Sequence, residues 1–148
     1  MKATSFLKKI ITVILIAVAS FQLHAQESNV PVEKSHRIVF QMTTSDTLAH
    51  KALMKQLKNI KSVSPSTNIE IVCHGPGLTM MMKTKTTVLK DIQISKELGV
   101  VFNTCEFSLK ERNVDKSEII AESNFVKAGI IYIVEKVEAG YVYIKSGF

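Results

Sequence analysis

The chain has 148 residues, with 19 Lys and Arg against 13 Asp and Glu, a formal charge of +6 and only two cysteines. A length of this order suits one domain around a single core. The basic excess is too diffuse for nucleic-acid recognition, which uses a concentrated patch, so no nucleic-acid partner is expected.

Lys2, Lys8 and Lys9 precede an apolar run from Ile10 to Val18, and Ser20 to Ala25 closes with Leu23, His24 and Ala25. Basic, apolar and small-residue regions in that order read as a secretory signal peptide over residues 1–25, cut after Ala25. A transmembrane anchor needs about 20 apolar residues, and Gln22 and His24 interrupt this run. No stable membrane span is expected after cleavage, and no cysteine stands near the cut to carry a lipid. The expected product is exported and periplasmic. Removing residues 1–25 takes three lysines and no acid, which leaves 123 of the 148 residues and lowers the formal charge from +6 to +3. Residues 26–36, polar and containing Pro31, read as a flexible leader ahead of a domain over residues 37–148.

The domain opens with a strand at Arg37 to Met42, rich in branched and aromatic residues. Ser45 or Asp46 can cap the next helix, whose apolar positions Leu48, Ala49, Ala52, Leu53, Leu57 and Ile60 recur at helical spacing. Lys51, Lys55 and Lys58 fall on its opposite face and read as solvated surface. After a loop broken by Pro65, Asn68 to Cys73 forms a second strand that stops at His74-Gly75-Pro76-Gly77. Leu78 to Met82 reads as core or subunit contact. A second long helix carries Val88, Leu89, Ile92 and Leu98 and ends at Gly99. Strand three, Val100 to Thr104, ends at Cys105.

Ser108 to Arg112 suggests a short helix, and Asn113 to Ser123 a polar connection. Phe125 to Gly140 is ambiguous: Ile130, Ile131, Ile133 and Val134 favour a strand by propensity, while their spacing with Val137 fits a helical face. A helix is the expectation here, with a last strand at Tyr141 to Lys145. Strands alternating with helices imply right-handed crossovers and an α/β fold, a mainly parallel sheet covered on both faces. Sites in such sheets lie beyond the carboxyl ends of the strands, where Cys73 and Cys105 both fall.

Cys105 precedes a short helix whose free amides and positive end favour a thiolate, with Lys110 and Arg112 near in sequence to add charge and Glu106 to oppose it. A buried, inert thiol is the competing expectation. The glycines of His74-Gly75-Pro76-Gly77 let the backbone approach a ligand or a neighbouring loop, and His74 is placed to orient or protonate a group on Cys105. The turn lacks the lysine and spacing of a phosphate-binding loop. Were strands two and three neighbours, their ends would lie about 5 Å apart, near enough for Cys73 and Cys105 to pair or to act as attacking and resolving thiols. Cys73, His74 and Cys105 lack a fourth ligand for zinc, so no metal and no cofactor is expected.

At these residues the sequence resembles the DsrE/DsrF-like family of small sulfur-relay proteins, over Arg37 to Phe148. The landmarks are Ile38-Val39-Phe40-Gln41, His74-Gly75-Pro76-Gly77-Leu78, Leu98-Gly99-Val100 through Cys105, Ser108-Leu109-Lys110 with Arg112, and Val126-Lys127-Ala128-Gly129. The resemblance implies a three-layer α/β/α domain of the flavodoxin or Rossmann type with about five strands, assembling as a trimer or hexamer. It places a persulfide on Cys105. The chain departs from the family in its export signal, since relay members are typically cytoplasmic, and in Asn113, where a glycine often ends the short helix.

The leading functional expectation is a sulfur carrier or sulfurtransferase-like protein that exchanges sulfur with an unidentified donor or acceptor protein. Cys105 would accept the sulfur, Lys110 and Arg112 would favour the thiolate, and His74 would assist. Cys73, Gly75, Pro76 and Gly77 would shape the binding turn. The alternatives are a non-catalytic oligomeric binding module and a dithiol switch between Cys73 and Cys105.

Overall fold

The computed structural model describes residues 35–147. The signal peptide expected over 1–25, and the leader apart from residues 35 and 36, lie outside them. Five parallel strands form one sheet in the order β4-β3-β2-β1-β5. They are β1 (Arg37–Met42), β2 (Asn68–Cys73), β3 (Val101–Cys105), β4 (Ser123–Val126) and β5 (Val142–Ser146). The connecting helices are α1 (Thr47–Val63), α2 (Leu89–Glu97), α3 (Glu106–Glu111) and α4 (Gly129–Glu138), with a 3-10 turn at Gly75–Met81. The cap of α1 is Asp46, whose carboxylate accepts from the Leu48 N–H at 2.8 Å.

Handedness explains the layers. Three crossovers step the chain from β1 through β2 and β3 to β4 in one direction, and right-handed connections place their helices on one face. The fourth returns from β4 across the sheet to β5, beyond β1, so the same handedness sends α4 to the other face.

The packing follows this division. Phe40, Ile71 and Phe102 lie under Leu53, Leu57, Ile92 and Leu109 in the larger core, which also holds Leu78, Met80 and Met81. Val39, Val72 and Ile133 form a smaller core beneath α4. Three layers result, and the outer one over the smaller core is a single ten-residue helix. That thin layer leaves Ile130, Ile131, Val134 and Val137 of α4 exposed, together with Val142, Tyr143 and Ile144 of β5. Lys51, Lys55 and Lys58 are solvated on α1, as their spacing predicts. No helix among the described residues is long and apolar enough to cross a membrane.

Residues 123–140 correct the sequence reading in part. Ser123–Val126, assigned to a polar connection and the start of a helix, is the edge strand β4, and α4 begins only at Gly129. The helical choice holds for Gly129–Glu138 against its β-branched composition, because Ile133 packs onto Val39 and Val72. Tertiary burial there outweighs propensity.

Candidate functional site at the strand ends

The chain leaves the carboxyl ends of β1, β2 and β3 toward the larger core and leaves β4 toward the smaller one. The divergence falls between β3 and β4, where Cys105 faces Val126 across the ladder. Such a switch opens a crevice outside the strand ends.

Pleating decides where each cysteine points. Cys73 is the register partner of Thr104, so Cys105, one residue further on, projects from the opposite face. Cys73 sits wholly buried in the larger core. Desolvation there pushes its thiol up to about 12. Both cysteines are free. The expected pairing of the two as a dithiol is therefore corrected: β2 and β3 are neighbours, but the sheet stands between the sulfurs.

Cys105 lies under the first turn of α4. The Gly129 N–H donates to its Sγ at 3.2 Å. A side chain on Gly129 would begin 3.2 Å from Cys105 Cβ, 3.2 Å from Val72 Cγ1 and 3.3 Å from His74 Cβ. The sulfur thus adjoins the 74–77 bend, yet Cys105 is only 4% exposed. The buried position is that of the competing expectation, because α4 closes over the sulfur. The amide serving the sulfur also comes from α4. Cys105 precedes α3 as its N-cap, but its side chain makes no capping bond.

The bend is fixed by backbone contacts. His74 N–H donates to the Met42 carbonyl, and Gly77 N–H to the His74 carbonyl, each at 3.1 Å. Pro76 stands in the first turn of the 3-10 segment, where a missing N–H costs nothing. A Cβ on Gly77 would lie 2.1 Å from the Met42 carbonyl oxygen, so the close approach admits only glycine. Gly75 N–H donates to Ser108 Oγ at 2.9 Å, which ties the bend to α3. Ser108 was not among the expected site residues. Its signal is its place three residues after Cys105, one turn along the same helix.

His74 is half-buried, and its Nε2 lies 2.7 Å from Gln41 Nε2. Gln41 Oε1 in turn accepts from the Tyr143 hydroxyl. Burial lowers the His74 pKa, which favours the neutral ring. Lys110 and Arg112 sit exposed at the far end of α3, and no hydrogen bond joins either to Cys105. Helix direction carries them away from the residue that precedes it, so their expected electrostatic role is not supported by contact. Glu106 is paired with Lys116. Asn113 takes φ +53°, the left-handed conformation that ends α3, and so fills the place a glycine often holds.

Deeper on the same face, Glu70 is buried on β2. It accepts from Tyr132 Oη at 2.6 Å and Asn103 Nδ2 at 3.3 Å, and it pairs with Lys136. Burial, then the Glu70 carboxylate, raises the Tyr132 phenol. Burial acts to lower the Lys136 ammonium, but Glu70 and Tyr132 hold it above its ordinary value. This cluster anchors α4, and through it the amide on Cys105. No group of three or more metal-ligating side chains occurs among the described residues.

No protein-family model and no curated protein matches the chain. Among solved structures it is similar to that of a protein of unknown function, MTH1491 from Methanobacterium thermoautotrophicum, with a TM-score of 0.71 and 22% identity. The likeness covers 75% of this chain and 99% of the other. At that identity it carries the α/β fold alone.

Proposed function

We propose that this chain is an exported, thiol-based sulfur carrier that accepts sulfur as a persulfide on Cys105. One observation carries the reading: the Cys105 sulfur lies at the topological switch and accepts a helix N-terminal amide, Gly129 N–H, with no second cysteine within its layer. A thiolate or persulfide is an anion, and a fixed N–H at the start of a helix is a suitable partner for it. The Cys105 thiolate attacks the outer sulfur of a donor persulfide. One S–S bond forms, the donor's S–S bond breaks, and the donor thiol leaves with the proton Cys105 gave up. No net oxidation occurs. Uptake requires the first turn of α4 to move aside, since it covers the sulfur.

The resemblance to sulfur-relay proteins supports the same assignment, with Gly75, Pro76, Gly77 and His74 shaping the mouth. A homo-oligomer, trimer or hexamer, belongs to this reading, and the uncovered apolar side chains of α4 and β5 suit subunit contact. A second reading, a non-catalytic oligomeric binding module, is favoured by the burial of Cys105.

Intact-mass measurement after incubation with a low-molecular-weight persulfide separates the two. The carrier gains the mass of one sulfur atom on Cys105, and Cys105→Ser abolishes the gain. An unmodified Cys105 in folded protein, or a gain that survives Cys105→Ser, would overturn the carrier function.

A further inference from the structure

We propose that the outward face of α4 in one copy of this chain docks into the groove between α1 and α2 of a second copy, with Glu135 and Glu138 meeting the lysines on its rim. The inference rests on the homo-oligomer reading, for which it names the two joining surfaces, and is independent of sulfur uptake by Cys105.

The groove has a volume of about 320 Å³, with Met54, Ile94 and Leu98 in its lining and Lys51, Lys55 and Lys58 along its α1 side. That space takes a short row of aliphatic side chains and is at the low end for a small-molecule site. Asp91 is the one acidic residue in the lining. Every charged residue of α1 is a lysine, four in Thr47–Val63. Lys61, the fourth, is engaged by the Pro65 and Thr67 carbonyls, and the other three line the groove.

The complement is on α4. Ile130, Val134 and Val137 are exposed at helical spacing, and exposed Glu135 and Glu138 flank them on one side. Lys136, the only basic residue of this helix, pairs with buried Glu70, so the outward charge is acidic alone. Among the described residues no ion pair engages the three groove lysines or the two glutamates. Glu135 and Glu138 are three residues apart, as are Lys55 and Lys58, and each pair is offset by about 4.5 Å along its helix. An apolar helical stripe seated in a groove, with opposite charges setting its register, is a recurrent mode of recognition. Since α1 and α2 cover the larger core and α4 the smaller one, the two surfaces lie on opposite faces of the sheet. Two copies cannot exchange both contacts at once, so the association runs head to tail.

The test begins with carbodiimide coupling of a mixture of ¹⁴N- and ¹⁵N-labelled wild-type protein, which joins a carboxylate directly to a neighbouring amine. Mixed-isotope peptide pairs linking Glu135 or Glu138 to Lys51, Lys55 or Lys58 are expected. Sedimentation then compares two charge-reversed variants, Lys55→Glu with Lys58→Glu, and Glu135→Lys with Glu138→Lys. Each is expected to weaken self-association about tenfold, as two exposed attractions become repulsions. A chain carrying all four substitutions is expected to recover wild-type association.

A wild-type oligomer whose mixed-isotope links all lie elsewhere, or whose association is unchanged in either folded two-residue variant, overturns this inference and leaves the homo-oligomer reading in place. So does a four-substitution chain that stays dissociated. A wild type that sediments only as a monomer overturns both.

Discussion

Cys105 and Gly129 are 24 residues apart in sequence, and the N–H of the second donates to the sulfur of the first at 3.2 Å. The contact exists because β3 and β4 are neighbours whose outgoing chains part to opposite faces. Val126 ends β4 opposite Cys105, and three residues later α4 starts with its amide over the sulfur.

Gly129→Ala is expected to lower stability by about 1–3 kcal/mol, the usual range for overpacking. The added Cβ would press on Cys105, Val72 and His74 together at 3.2–3.3 Å. Urea denaturation measures the loss.

Two glycines of one bend should respond unequally. Gly77→Ala drives a Cβ to 2.1 Å from the Met42 carbonyl oxygen and should prevent a native bend, with a loss above about 3 kcal/mol. Gly75→Ala meets nothing within 4 Å and strains only its φ of +53°. Its expected cost is about 1–2 kcal/mol. Comparable midpoints for the two variants would contradict the geometry.

Cys73 gives a pH signature. Its folded thiol is pushed up to about 12 from an ordinary value of 9.0. Above pH 9 the unfolded chain releases a proton that the folded chain keeps, so the contribution is full below pH 9 and is lost as pH rises toward 12. Stability should fall across that window, and Cys73→Ala should flatten the slope. Below pH 9 Cys73 should resist alkylation until the protein unfolds, and a non-reducing peptide map should show no Cys73–Cys105 disulfide.

Lys136→Met is expected to destabilise the fold by about 2 kcal/mol, since it leaves the Glu70 carboxylate buried with only Tyr132 and Asn103 as donors. Calorimetry checks the magnitude. A Glu70→Gln, Lys136→Met double variant should recover part of the loss, because the unpaired charge is gone.

Much of the fold was legible because its signals are local. Arg37 to Met42 and Asn68 to Cys73 announce strands by composition, Asp46 announces a cap, and Gly99 and Gly140 stand where helices end in the left-handed region at φ +82° and +85°. β4 was not legible. Ser123–Val126 has four residues, two of them exposed, and it becomes a strand only by pairing with β3. The site divides in the same way. Cys105, His74 and the glycine bend follow from strand ends and turn chemistry, whereas Gly129, Ser108, Gln41 and Tyr143 join them through register and crossover handedness. Lys110 and Arg112 look close in sequence, but the helix takes them elsewhere.

The unequal covering of the sheet makes the molecule mechanically lopsided. Detaching α4 exposes Val39, Val72 and Ile133 and breaks the Glu70 anchor, while the clustered side chains around Phe102 and Leu53 stay packed. Amide exchange in α4 should therefore proceed through a partial opening well below the global unfolding free energy, while α1 exchanges only when the whole domain melts. Cys105, beneath that helix, is then the thiol released by the least costly excursion of the native state, while Cys73 stays sealed in the larger core.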